Sequence, residues 1–163
     1  MQPSFYVIMG VSGSGKSSLG KALADHLGWD FYDADDVHPP ANVAKMSSGI
    51  PLTDEDRAPW LASLHDLIES CLREDRPGVL ACSALKERYR QTLLSGNAGV
   101  QLVYLKGSYE LMRSRMVHRP GHYMKVNMLQ SQFDALEEPQ NALTVDAARP
   151  LDELVSQILS PTR

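Results

Sequence analysis

The sequence predicts an α/β fold: a five-stranded parallel sheet with helices on both faces. Three observations predict it. Short apolar runs alternate, along all 163 residues, with segments whose apolar residues recur at helical spacing. A glycine-rich stretch from Gly10 to Ser17 sits between the first apolar run and the first helical pattern. Strands that alternate with helices in this way indicate a parallel sheet covered on both faces.

The elements follow in order. Phe5-Tyr-Val-Ile-Met9 is a run of β-formers and predicts a buried strand. Leu19, Ala22, Leu23, His26 and Leu27 form one face of a helix that stops at Gly28, a suitable C-terminal cap. Phe31 and Tyr32 end a second, short strand, and Asp33, Ala34, Asp35 and Asp36 follow. His38-Pro-Pro breaks the pattern before a short helix over 41–46, which Ser47-Ser-Gly49-Ile-Pro51 closes. Thr53-Asp-Glu-Asp56 is a helix-start signal. Trp60, Leu61, Leu64, Leu67, Ile68, Cys71 and Leu72 then give one buried face, with Pro59 expected to reset or kink the first turns. Gly78-Val-Leu-Ala-Cys82 predicts a third strand, and Leu85, Tyr89, Leu93 and Leu94 stripe the next helix. The range 100–105 predicts a fourth strand, followed by helices near 111–116 and over 126–136. A fifth strand over 142–146 and a terminal helix from Leu151 to Leu159 complete the pattern.

The Gly10–Ser17 stretch fits G-x-x-x-x-G-K-[ST] in the strand–loop–helix context that this motif requires. The expected architecture is therefore the three-layer P-loop NTPase fold. Gly10, Val11, Ser12, Gly13, Ser14, Gly15, Lys16, Ser17 and Ser18 are the expected nucleotide-binding residues. Glycines let backbone N–H groups close on a polyphosphate, and the helix behind them points its positive end at the anion. Lys16 reaches the β and γ phosphates, and the Ser17 hydroxyl suits Mg²⁺. ATP and Mg²⁺ are the expected cofactors.

Other charged residues acquire meaning beside that motif. Asp33 and Asp35 are two apart, so in an extended segment they share a face. Such a pair can hold the hydration shell of Mg²⁺ or accept a proton from an attacking hydroxyl. The third strand ends in Cys82-Ser83 with no acid, which shifts the metal-side carboxylate to Asp33 or Asp35. Arg57 either pairs with its acidic neighbours or faces an anionic substrate. His38 is either a pocket donor or a loop residue. Lys86 and Arg90 are four apart and form one positive helix face, for an anion or for solvent. Arg113, Arg115, His118, Arg119, His122 and Lys125 surround Pro120-Gly121. This basic segment predicts a mobile lid over roughly 113–128, with Arg115 and Arg119 one turn apart and aimed at phosphates.

The totals set bounds. The length fits one domain with a substantial core. A net charge of −4 and a pI of about 5.7 argue against nucleic-acid or membrane-surface binding. No apolar run approaches the ~20 residues of a membrane helix, and no signal peptide precedes the first strand, so the cytoplasm is the expected compartment. Cys71 and Cys82 read as buried free thiols.

Taken together, the motifs resemble the small P-loop gluconate kinases, relatives of the shikimate kinases. The residues that carry the resemblance are Gly10–Ser17, Asp33-x-Asp35 with His38-Pro39, and Asn42-x-x-Lys45-Met46-x-x-Gly49-x-Pro51-Leu52. Asp54-x-Asp56-Arg57-x-Pro59-Trp60, Cys82-Ser-Ala-Leu-Lys86 with Tyr89-Arg90, Gly121-His122, and Gln132-Phe133 with Leu136-Glu137 extend it along the chain. The resemblance implies transfer of a phosphoryl group from ATP to D-gluconate, giving 6-phospho-D-gluconate, with Mg²⁺ and in a homodimer. It implies Asp35 at the substrate hydroxyl and Asp33 on the metal side. Lys16, Arg115 and Arg119 serve the phosphates, and His38, Arg57, Lys86 and Arg90 the acceptor. Ala34 departs from a glycine often found between the two acids. Arg149-Pro150 resembles the adenine-side edge. The alternatives are a related kinase for a shikimate-like acid or a nucleoside monophosphate, and a non-catalytic ATP-binding switch.

Overall fold

A computed structural model describes residues 3–11, 13–117 and 126–160 of the chain. Five strands form one sheet: β1 (Phe5–Met9), β2 (Asp30–Asp33), β3 (Gly78–Ala81), β4 (Val100–Lys106) and β5 (Leu143–Asp146). Every pairing is parallel, and the strand order is β2-β3-β1-β4-β5. The helices are α1 (Lys16–Leu27), α2 (Pro40–Ser47), α3 (Asp54–Arg73), α4 (Glu87–Leu94), α5 (Tyr109–Val117), α6 (Val126–Ala135) and α7 (Leu151–Leu159). The three-layer α/β architecture expected from the sequence is the one observed.

The pleat of β1 divides the core. Tyr6 and Ile8 face α1 and α7, packing with Leu19, Leu23, Leu154 and Ile158. Phe5, Val7 and Met9 face α3 and α4, packing with Trp60, Leu64, Ile68 and Leu93. β1 is therefore central and buried along its whole length. α1 ends as expected, at Gly28 with φ 73°. α3 opens with a full capping box: Thr53 Oγ1 accepts from the Asp56 N–H, and the Asp56 carboxylate accepts from the Thr53 N–H. Pro59 lies inside α3, and the helix runs through it. A proline near the N-terminus forfeits only one early backbone bond, and the Trp60–Leu64 face packed on the sheet outweighs that loss. Cys71 and Cys82 are both buried and unpaired.

Two expectations about local geometry are corrected. Asp33 and Asp35 do not alternate along a strand. β2 ends at Asp33, and a 3-10 turn over Ala34–Val37 begins at once. The Asp33 carboxylate caps that turn through the Asp35 N–H at 3.0 Å. Lys86 and Arg90 do not share a solvent-facing positive face either. Lys86 is the N-cap of α4, while Arg90 is only 3% exposed.

Candidate active site

Gly10 leaves β1 where a side chain has no room. A Cβ there would lie 2.8 Å from Ser14 Oγ and 3.0 Å from the Leu105 carbonyl. Gly13 and Gly15 take φ of 81° and 95°, in the left-handed region that glycine enters freely. Gly15 is the N-cap of α1, so the loop wraps the positive end of that helix. Ser12 lies outside the described residues. A cavity of about 240 Å³ beside the loop is lined by Gly13, Ser14, Gly15, Ser18, Arg115 and Arg149, among others. A larger cavity, about 970 Å³, borders Glu87, Leu94, Val100 and Glu137 and contains no P-loop residue and neither aspartate. The candidate chemistry does not follow the larger volume.

The carboxyl ends of β1, β2 and β3 bring the charged groups together, as the strand order requires. Ser17 Oγ donates to Asp33 Oδ2 at 2.8 Å. One carboxylate thus caps the 3-10 turn with Oδ1 and meets the motif serine with Oδ2. Asp35 stays exposed beside it. Cys82 lies fully buried at the end of β3. Burial pushes its thiol up to about 12, Lys16 acts against that shift, and Asp35 and Asp33 add to it. Lys16, Asp33 and Asp35 thus all act on one thiol at the tip of β3.

A second wall comes from α2, α3 and the start of α4. Arg57 Nη1 donates to the Leu52 carbonyl at 2.9 Å and to Tyr89 Oη at 3.0 Å. The Tyr89 hydroxyl donates in turn to Asp54, which also pairs with Arg88. Arg57 and Lys86 both stand over the Tyr89 ring, 5.3 and 5.8 Å from its centre. Trp60 Nε1 donates to the Ala34 carbonyl at 2.7 Å, tying α3 to the turn between the two aspartates. His38 stacks on Trp60 with ring centres 4.1 Å apart. Burial lowers the His38 pKa, Asp35 opposes that shift, and Arg57 reinforces it.

Two expected site residues have other surroundings. Arg90 donates to the carbonyls of Ala84, Leu85 and Glu137 and to the Glu87 carboxylate. Its donors are engaged within the scaffold, which favours a structural role over the substrate contact expected from the sequence. Arg115 approaches the P-loop through carbonyls: Nη1 donates to Ser14 O at 2.9 Å and Nη2 to Ala147 O at 2.6 Å. It clamps the loop from the side of α5. Arg119 and the Pro120-Gly121 hinge lie outside the described residues. Sequence reading missed Trp60, Tyr89 and Asp54 as site-forming residues. They read there as an apolar stripe and a helix start, and their polar atoms acquire partners only in three dimensions.

Residues 12–160 match the shikimate kinase family model, which sets the class: a small-molecule kinase with a P-loop. The thermoresistant gluconokinase of Escherichia coli is 42% identical over 94% of this chain and 90% of its own. A solved gluconokinase from Sinorhizobium meliloti is 46% identical, with a TM-score of 0.87 over 97% of this chain and 90% of its own. A solved sugar kinase from Janibacter sp. superposes with a TM-score of 0.90 at 40% identity, over 96% of this chain and 92% of its own. The chain belongs to the gluconokinase family.

Proposed function

We propose that this protein transfers the γ-phosphoryl group of ATP to D-gluconate, forming ADP and 6-phospho-D-gluconate. The observation that carries the reading is the Ser17–Asp33 contact at the carboxyl end of the sheet, with Asp35 and Arg57 both acting on His38 and with Arg57 and Lys86 forming one cationic wall over Tyr89. A sugar acid offers one carboxylate and several hydroxyls, and that wall supplies cations for the first. Arg57 uses only Nη1 on Leu52 and Tyr89 among the described residues. The rest of its fork suits a carboxylate, with Lys86 beside it.

Phosphoryl transfer asks mainly for alignment and charge stabilisation. In this proposal the P-loop amides of residues 10–18 and Lys16 hold the β and γ phosphates. Arg115 keeps the loop in shape through the Ser14 carbonyl. Asp35 orients the primary hydroxyl and accepts its proton late. Mg²⁺ fits the donor set, because Ser17 Oγ and Asp33 Oδ2 are hard oxygens already side by side. When bound there, the ion would neutralise charge on the phosphates. We further propose that a lid formed by roughly 113–128, including Arg119, closes over the nucleotide and excludes water.

We assign the working unit as a homodimer, which light scattering checks. ATP and free sugar acids meet in the cytoplasm, where we place the enzyme. Among the described residues no helix is long and apolar enough to cross a membrane. The deciding assay is ADP release with D-gluconate set against shikimate, nucleoside monophosphates and other sugar acids. Release that depends on D-gluconate supports the assignment. A preference for another acceptor replaces the substrate, and ATP binding without acceptor-dependent turnover replaces the enzyme by a switch.

A further inference from the structure

His38 leaves the 3-10 turn in extended backbone, and Pro39 and Pro40 fix the chain beyond it. Its ring lies flat on Trp60, with an interplanar angle of 10°. Trp60 is itself held by the Ala34 carbonyl. The ring plane is therefore set from the α3 side, and α2 sets its rotation. Asn42 is 3% exposed and sits one turn inside α2. Its Nδ2 lies 2.9 Å from the Asp56 carbonyl and 3.2 Å from His38 Nδ1.

This pair of distances determines where the imidazole proton is. A backbone carbonyl only accepts, so the amide atom facing Asp56 O must be the nitrogen. The opposite amide orientation would set two acceptor oxygens against each other in a buried place. The amide nitrogen has two hydrogens and nothing with which to accept. One hydrogen goes to Asp56 O, so the other goes to His38 Nδ1, which must be unprotonated. The ring proton is on Nε2. An imidazolium would oppose an Nδ1–H to the amide N–H and break the contact.

Nε2 has no hydrogen-bond partner among the described residues. The charged groups that act on the ring are Asp35 from the 3-10 turn and Arg57 from α3, the two residues assigned to the acceptor. We infer that Asn42 and Trp60 are positioning residues that lock His38 as a neutral Nε2–H donor to an oxygen of the acceptor, with no role as a base. The inference rests on the acceptor site proposed above. It narrows the substrate chemistry: the acceptor presents a hydroxyl or carboxylate oxygen to a neutral donor beside Asp35.

The test has a structural arm and a kinetic arm. Long-range ¹⁵N–¹H NMR of the histidine-labelled full chain at neutral pH should show a pyridine-type Nδ1 and a pyrrole-type Nε2 for His38. The opposite tautomer, or an imidazolium, overturns the inference whatever the substrate proves to be. In the kinetic arm, His38→Gln places an amide nitrogen near the position of Nε2, and His38→Asn reaches only that of Nδ1. The expected gluconate KM stays within about threefold in the Gln variant and rises about tenfold or more in the Asn variant, with the KM for ATP unchanged in both. Equal loss in the two variants, or a loss confined to kcat, overturns the donor role.

Asn42→Asp supplies a carboxylate that favours an Nδ1 proton. With Nδ1 protonated, the neutral ring has no Nε2–H to give, so the gluconate KM should rise at neutral pH and recover toward acid pH, where the imidazolium regains that donor. A KM profile that matches wild type counts against Asn42 as the positioning group. A wild-type enzyme without gluconate-dependent turnover would remove the substrate reading and leave the NMR result standing by itself.

Discussion

Replacing Arg90 by Met separates a scaffold arginine from a substrate ligand. Methionine keeps most of the aliphatic stem and removes the guanidinium. Three carbonyls lose a donor: Ala84 O at 2.8 Å, Leu85 O at 3.1 Å and Glu137 O at 2.7 Å. Leu85 O keeps another partner, the Glu137 N–H at 2.8 Å. Two carbonyls are therefore left unpaired, at about 1–3 kcal/mol each. Ala84 also sits at φ 45°, a left-handed conformation that a non-glycine residue holds only when its surroundings impose it. Water entering beside Glu87 offsets part of the loss, so about 3 kcal/mol of destabilisation is expected. With a urea slope of about 1–3 kcal/mol/M, the unfolding midpoint should fall by about 1–3 M. The assay is equilibrium urea unfolding beside steady-state kinetics on the folded fraction. An unchanged midpoint with a gluconate KM raised about tenfold would refute the scaffold argument and restore Arg90 to the substrate.

Other substitutions probe separate parts of the site. Asp33→Asn removes the charged partner of Ser17, so kcat should fall about 100-fold or more while ATP binding stays within about tenfold; a Mg²⁺ titration with unaltered kcat would take Asp33 off the metal side. Arg115→Ala frees the Ser14 and Ala147 carbonyls, and should raise the KM for ATP about fivefold or more while sparing that for gluconate; equal rises would assign Arg115 to both substrates. The Asp56 carboxyl is lowered to about 2, first by the Lys45 hydrogen bond and then by the Thr53 N–H. Its contribution is complete above the unfolded value near 3.8 and is lost as pH falls through about 2. Lys45→Met should therefore shift acid unfolding, followed by tryptophan fluorescence, to higher pH. Superimposable acid transitions would show that the Lys45–Asp56 tie adds nothing.

The legible parts of this chain were those with local causes. The Gly28 stop, the Thr53 cap and the apolar face from Trp60 to Cys71 each depend on residues within a few turns of one another. The order of elements followed, because strand runs and helical patterns succeed one another along the chain, with two helices in a row before β3 and before β5. Arg90 was read as a helix-face cation because the bend that turns the Ala84 and Leu85 carbonyls and Glu87 onto it leaves no periodic signal, and its remaining partner, the Glu137 carbonyl, is 47 residues away. The aspartate pair was misread for a different reason. An extended segment and a capped turn have the same residue types at the same spacing, and the choice lies in where Asp33 finds its donors. Asn42 belonged to the motif that carried the family resemblance, yet its work on His38 depends on the Asp56 carbonyl of a neighbouring helix.

The end of β3 gives a physical reason for the proposed metal-side acid to fall on β2. β3 lies between β1 and β2, so an acid at its tip would face the P-loop directly. That position holds Cys82, fully buried, with a thiol that burial keeps protonated and uncharged. A carboxylate there would be a third negative group beside Asp33 and Asp35, stripped of water and opposed to both. A neutral side chain leaves the Lys16 charge to the phosphates and leaves Asp33, on the neighbouring strand, free to meet Ser17. The same displacement fixes Asp35. The 3-10 turn that Asp33 caps carries the next acid into the open, where it and Arg57 both act on His38. Moving one carboxylate from β3 to β2 thus creates both halves of the proposed site, because the residue that meets the motif serine also starts the turn that presents the second acid to the acceptor.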